Sequence, residues 1–124
     1  MLAFDAKVEE TQIVVEACLD RYRALGLDAE AVSWDRVTLE DLSMNVTPLI
    51  KTERRLDWIL TRDIPRRADA LVFKRLVGEG WTVHALVPTG MLGEAHRELR
   101  GTPVRLQGWW MSEGGVHFGR PEIP

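Results

Sequence analysis

The segment WTVHALVPTGMLGEAHRELRGTPVRLQGWWM, residues 81–111, decides the fold class predicted for this 124-residue chain. Trp81 to Val87 is rich in β-forming residues and apolar on both faces, which is typical of a covered central strand. Pro88 to Gly90 ends that strand, and apolar residues then recur at helical spacing from Met91 to Leu99. Val104 to Met111 is predicted to be a second strand. A strand, a short helix and a strand in about 30 residues favour a β-α-β unit with parallel strands.

Helices are predicted in the first two thirds of the chain. Residues 6–25 carry an apolar stripe at helical spacing, and most of their acidic side chains lie off that stripe. Thr47-Pro48 is a helix-start signal, because proline fits the first helical position, and it predicts a helix from 48 to about 61. A further helix is expected across residues 68–77, ended by the glycines that follow.

The remaining segments predict short extended elements. Residues 31–37 favour a strand, residues 38–41 favour one capped turn, and residues 116–118 favour a hairpin strand after a glycine pair. The predicted architecture is one small α/β or α+β domain over residues 1–124. It has N-terminal helices, a C-terminal β-α-β unit and a terminal hairpin.

The composition is that of an ordinary globular domain. Hydrophobic residues make up 45% and charged residues 28% of the chain, which argues against disordered and collagen-like classes. Cys18 is the only cysteine, so no disulfide can form within the chain, and we expect a reducing, cytoplasmic location. No stretch approaches the roughly 18 apolar residues of a membrane span, so we expect no membrane association.

The charge is divided unevenly along the chain. Residues 1–50 carry four basic and ten acidic side chains, whereas residues 51–75 carry eight basic and four acidic ones. A basic segment of this kind could neutralise the phosphates of a nucleic acid if its side chains share one face. The alternative is a solvated face whose charges form weak exposed pairs. The candidate residues in this segment are Arg54, Arg55, Arg62, Arg66 and Arg67.

One tryptophan in the last predicted strand is a candidate contact residue. Strand alternation places Arg105, Gln107 and Trp109 on one face and Trp110 on the other. An aromatic side chain between polar neighbours suits base stacking, a small-molecule pocket or a subunit interface. The alternative is burial of Trp109 beneath a helix or the C-terminal tail.

The loop after the first predicted strand of the β-α-β unit is a second candidate site. Ligands of α/β sheets gather where strands end and helices begin, which here is Thr89-Gly90. His84 and His96 could meet there across a strand-helix contact, although a structural role for each is the commoner case. The histidine spacing offers no local ligand pair, so we predict no metal and no cofactor.

These features favour a small, non-enzymatic binding or regulatory module for a protein or nucleic-acid partner. The hypothesis expects Trp109, Arg105 and the basic residues of 51–75 to lie on accessible surface. One alternative is a small-ligand-binding domain or hydrolase-type enzyme that uses the 88–90 loop. Another is a structural homo-oligomer, such as a dimer, in which the tryptophans and residues 114–124 pack against a second copy.

Overall fold

The structure is a computed structural model that describes residues 3–32 and 48–124. In this part of the chain the elements, in order, are α1 (Ala3–Ala24), β1 (Glu30–Val32), β2 (Leu49–Thr52), β3 (Arg55–Ile59), α2 (Arg67–Val72), α3 (Lys74–Gly78), β4 (Thr82–Pro88), a 3-10 turn (Thr89–Met91), α4 (Leu92–Leu99), β5 (Arg105–Ser112) and β6 (Gly115–Phe118). None of these helices is long and apolar enough to cross a membrane.

The strands form one mixed sheet whose spatial order follows the chain from β1 to β6. β1, β2 and β3 are antiparallel neighbours, β3, β4 and β5 are parallel, and β6 is antiparallel to β5. Parallel neighbours need a crossover connection, and helices lie in both of these connections: α2 and α3 between β3 and β4, and α4 between β4 and β5. The predicted mixture of helices with one sheet is confirmed as an α+β fold.

Helices cover the sheet from both sides. α1 packs on one face, which we call the α1 face, against the side chains of Ile50, Ile59, Leu86 and Trp109. α2, α3 and α4 pack on the opposite face, where the buried strand residues are Val32, Leu49, Leu56, Trp58, Val83, Ala85, Val87 and Leu106. Because both faces are covered, β4 is buried on both sides from Val83 to Val87, as its sequence indicates.

The predicted helix from 48 to about 61 is wrong, because these residues form the hairpin of β2 and β3. Proline is also compatible with a strand start, and the Pro48 carbonyl accepts a hydrogen bond from the Ile59 amide at 3.0 Å. Glu53 takes a left-handed conformation in the turn, with φ of 51°. Both sides of the hairpin are buried, so the alternation that marks a half-exposed strand is hidden.

Other boundaries differ less. α1, β4 and β5 lie within three residues of the segments predicted for a helix and two strands. The helix predicted across 68–77 is divided into α2 and α3, which meet at Phe73. Of the strand predicted over 31–37, only residues 31 and 32 are described, and both belong to β1. The rest of that strand and the turn at 38–41 lie outside the described residues.

Candidate functional site

Polar side chains gather on the α1 face, at the end of the sheet where β3, β4 and β5 begin. The strand register places Asp57 beside His84, and His84 beside Arg105. Arg55 precedes Asp57 by two positions and Gln107 follows Arg105 by two, so all five side chains project from the same face. Tyr22 of α1 covers them, because its hydroxyl reaches Asp57. We call this set the polar site: Tyr22, Arg55, Asp57, His84, Arg105 and Gln107.

The carboxylate of Asp57 is completely buried and fully engaged. Its Oδ1 atom accepts hydrogen bonds from Arg55 Nη2 at 2.8 Å and Arg55 Nε at 3.1 Å. Its Oδ2 atom accepts a hydrogen bond from the Tyr22 hydroxyl. A buried charge is tolerated when it is paired and hydrogen-bonded in this way. The pairing holds the Arg55 guanidinium in one position above the sheet.

Arg55 reaches from β3 across β4 to β5. Its Nη2 atom also donates to Gln107 Oε1 at 3.2 Å, and Gln107 Nε2 donates to the Gly119 carbonyl at 2.8 Å. The guanidinium carbon lies 5.5 Å from the ring centroid of Tyr22, within cation-π range. The Arg55 side chain is 30% exposed, so it links the buried network to solvent. Its Nη1 atom makes no hydrogen bond to any residue that the structure describes.

The protonation states in the network follow from burial and from the Asp57 charge. Burial, and then the charge of Asp57, raise the pKa of Tyr22 well above its ordinary value, so the hydroxyl keeps its proton and donates. Burial alone would lower the pKa of Arg55, but the charge and hydrogen bond of Asp57 outweigh it and the pKa rises. Burial followed by Asp57 raises the pKa of Cys18 to about 12, so this neighbour on α1 stays a neutral thiol.

His84 is buried with one ring nitrogen unused. The residue is 4% exposed, and its Nδ1 atom has no hydrogen-bond partner among residues 3–32 and 48–124. Burial and then the charge of Arg55 lower the pKa of His84 to about 4; Asp57 and Gln107 oppose this shift, and the charge of Arg105 adds a smaller lowering effect. The imidazole is therefore neutral at pH 7. An unsatisfied buried polar atom in a folded protein requires an explanation.

A second unsatisfied atom lies on the other side of Arg55. Thr52 of β2 is paired in register with Arg55 and belongs to the same face as Ile50. The residue is buried, and its Oγ1 atom lacks a hydrogen-bond partner in the described part of the chain. Unpaired polar atoms thus flank the Arg55-Asp57 pair on β2 and on β4. Such atoms normally mark the position of a bound water or ligand.

Arg105 gives the polar site a net positive charge. The charges of Arg55 and Asp57 compensate each other at 2.8 Å, whereas Arg105 is exposed and makes no ion pair within the described ranges. Both arginines lie close enough to His84 for their charges to lower its pKa. Among the described residues, the site therefore presents two guanidinium groups and one carboxylate beside a neutral imidazole.

Four residues that the sequence suggested on separate grounds meet in this site: Arg55, His84, Arg105 and Gln107. The other arginines of the basic segment do not join them. Arg54 donates to the Glu79 carbonyl at 3.0 Å, and Arg62 lies 3.6 Å from Glu10. Arg67, next to Arg66 at the start of α2, donates to the carbonyl of Arg100. Arg54, Arg62, Arg66 and Arg67 are exposed. The shared face that nucleic-acid binding would require is not observed, because the basic residues of 51–75 are divided among the β2-β3 hairpin, the loop after β3 and the helices α2 and α3 on the opposite face.

The expectation that Trp109 is accessible is wrong. Trp109 is 4% exposed, and its indole N–H donates to the Leu60 carbonyl at 2.9 Å. Strand alternation correctly places Trp109 and Trp110 on different faces of β5. α1 covers the face of Trp109, whereas the helices on the opposite face leave Trp110 partly uncovered. Trp110 is the accessible aromatic side chain, 41% exposed and stacked on His117 with 5.6 Å between ring centroids.

The 88–90 loop does not bring the two predicted histidines together. Thr89 and Gly90 are exposed in the 3-10 turn before α4. His84 lies on the α1 face, whereas His96 belongs to α4 on the opposite face and contacts Glu122 at 3.1 Å. The sheet separates them, so a single site containing the loop, His84 and His96 is excluded by this arrangement.

Sequence reasoning missed Tyr22, Thr52 and Asp57. A signal for Asp57 was present, since it is a single acidic residue between Leu56 and Trp58 in an apolar run. In the helix predicted from 48 to about 61, Asp57 is a partner for exposed arginines. In the observed strand β3, the same residue faces the interior. Tyr22 had no such signal, because it lies on the apolar stripe of α1.

Within the described residues, no group of three or more His, Cys, Asp or Glu side chains is arranged to hold a metal ion. The chain matches no family model, no curated protein and no solved structure.

Proposed function

We propose that this chain is a small-ligand-binding module and that the polar site holds an oxyanion, meaning a carboxylate or phosphate group. One observation carries the proposal: two arginines from neighbouring regions of the sheet flank His84, whose buried Nδ1 atom has no partner in the described chain. An anion at this position would contact the unused Nη1 atom of Arg55 and the side chain of Arg105.

Charge and geometry both favour an anion over a neutral ligand. Asp57 neutralises Arg55, and Arg105 leaves a net positive charge that an anion would balance. The guanidinium group presents its N–H donors in a planar fork that suits carboxylate and phosphate oxygens. The Arg55 fork is held in place by three hydrogen bonds to Asp57 and Gln107, so little ordering is needed on binding.

We propose binding without catalysis at this site. Both oxygens of Asp57 are already engaged by Arg55 and Tyr22, so the carboxylate is not free to act as a base. The raised pKa of Tyr22 keeps its proton on the hydroxyl. General acid-base work needs a group whose pKa lies near the working pH and whose proton can reach the substrate.

Thermal unfolding in the presence of anions tests the proposal. Sulfate, acetate and methyl phosphate should each raise the Tm of the native chain relative to chloride at equal ionic strength, because a ligand that binds only the folded state stabilises it. The ion that acts at the lowest concentration identifies the source of the oxyanion. Arg105→Gln should remove most of the effect, since it deletes the uncompensated charge.

Arg97→Gln is the matched control, because Arg97 is an exposed arginine of α4 on the opposite face. This variant should keep the full response to anions. Equal responses of the native chain and Arg105→Gln at every pH would contradict the proposal, as would a native response no larger than that to chloride.

A second candidate function is self-association through the β5-β6 edge. Trp110 is 41% exposed and stacks on His117 of β6, so this edge of the sheet offers a second copy an accessible aromatic pair. Sedimentation equilibrium should then show dimers, and Trp110→Ser should shift them towards monomers. Leu25→Ser, which replaces an exposed apolar residue after α1, is the control. A native chain that sediments as a monomer would exclude this function.

A further inference from the structure

We infer that His84 takes up one proton when an oxyanion binds, so that binding at the polar site is coupled to protonation. This inference rests on the proposed anion-binding function and adds its regulation by pH. It starts from the position of His84 between Asp57 of β3 and Arg105 of β5, with its Nδ1 atom buried and unpaired in the described structure.

The charged and titratable groups that face His84 come from every element packed against it. β3 supplies Arg55 and Asp57, and β5 supplies Arg105. α1 supplies Tyr22 and Cys18, which both remain neutral because burial and Asp57 raise their pKa values. Without a ligand, a protonated His84 would therefore be a third positive charge near a single negative one.

A bound oxyanion reverses this balance. It adds negative charge beside Arg55 and Arg105, and these are the two groups whose charges disfavour the imidazolium. The protonated imidazole would then carry an N–H at Nδ1 that can donate a charge-assisted hydrogen bond to the anion. The same proton gives the buried Nδ1 atom a hydrogen-bond partner. Anion binding would therefore both balance the arginine charges and satisfy this atom.

The sign of the pH effect follows from linkage. The pKa of His84 is about 4 in the free protein, and a neighbouring anion should move it back towards the ordinary value of roughly 6.5. Between these two values the complex holds a proton that the free protein lacks. The affinity for an anion of constant charge should therefore rise about sevenfold as pH falls from 6 to 5.

Calorimetric titration with sulfate tests the inference, because sulfate stays a dianion throughout this pH range. Titrations at pH 5.5 in buffers of different ionisation enthalpy should show uptake of close to one proton by the native chain. His84→Gln should bind sulfate with an affinity that does not change between pH 5 and pH 7. His96→Gln, which replaces a histidine on the opposite face, should behave as the native chain does.

The failure of this inference can be told apart from the failure of the proposed function. Sulfate binding without proton uptake, or proton uptake that persists in His84→Gln, would overturn the coupling and leave the anion site standing. Absence of sulfate binding at every pH would overturn both. If His84→Gln does not fold, NMR of the native imidazole decides, because saturating sulfate should raise the pKa of His84 by about two units.

Discussion

The two faces of the sheet differ in how they are buried. On the opposite face, β3, β4 and β5 contribute apolar side chains alone to the core, from Leu56 to Leu106. On the α1 face the same three strands are apolar only towards the end marked by Ile59, Leu86 and Trp109. At their beginning they place Asp57, His84 and Gln107 in the interior, where apolar residues would also fill the space.

The contrast shows that covering this sheet does not require polar residues. A buried ion pair is often no more stabilising than well-packed apolar residues of the same size, because both charges lose their hydration. Two buried atoms on the α1 face, Thr52 Oγ1 and His84 Nδ1, also lack partners in the described chain. The α1 face therefore carries a buried ion pair, which β3, β4 and β5 do not place on the opposite face, and binding supplies a physical reason for it.

Breaking the buried pair should have the largest effect. Asp57→Ala leaves the Arg55 guanidinium partly buried without its carboxylate, and the free energy of unfolding should fall by about 3–5 kcal/mol. Urea unfolding monitored by tryptophan fluorescence measures this loss. The contrast between the faces is sharpened by the double variant Arg55→Met with Asp57→Leu, which replaces the ion pair of the α1 face by apolar side chains.

This double variant should be about as stable as the native chain or more stable, and it should not bind sulfate. A double variant as unstable as Asp57→Ala would mean that the pair contributes to folding in its own right. The distinction drawn here between a stabilising face and a binding face would then be wrong.

An intermediate effect should appear when the pH is lowered. The pKa of His84 is about 4 in the folded chain and roughly 6.5 when unfolded, so the unfolded chain binds the additional proton. The stabilisation is fully present above pH 6.5 and is lost as pH falls from 6.5 to 4, by up to about 3 kcal/mol. The difference in unfolding free energy between the native chain and His84→Gln, measured across this range, isolates the histidine from titrating carboxylates. A difference that does not change with pH would contradict the assignment.

The smallest effect concerns the apolar end of the α1 face. Trp109→Phe removes the indole donor to the Leu60 carbonyl and should lower the free energy of unfolding by about 1–2 kcal/mol. Trp110→Phe is the matched control, because Trp110 is on the same strand and partly exposed, and it should change stability by less than about 0.5 kcal/mol. Chemical denaturation compares the two variants directly. Equal losses would argue against the different environments of these neighbours.

Part of the fold was predictable because its signals are local. β4 was recognisable from the run of β-forming residues between Gly80 and Pro88, and Gly101 marked the end of the helical segment before β5. The hairpin of β2 and β3 was not recognisable, since Pro48 is compatible with both a helix start and a strand start. Its burial on two faces also removed the alternation that would have distinguished the two.

The candidate site was predictable only in pieces. Arg55, His84, Arg105 and Gln107 were each singled out, but for a cationic face, a loop site and an exposed strand face that the structure does not contain. Their convergence depends on the parallel register of β3, β4 and β5, which pairs residues that are more than 20 positions apart. Nothing in the neighbourhood of each residue encodes that register.

The sequence by itself predicted strands at 81–87 and 104–111, each within one residue of β4 and β5, and placed Trp109 and Trp110 on different faces, because these properties follow from propensity and alternation. Only the tertiary structure decided that α1 covers the face of Trp109. It alone brought Tyr22 of α1 onto Asp57 and carried Arg55 across β4 to Gln107. Burial and convergence arise from contacts between distant parts of the chain, so a local pattern cannot specify them.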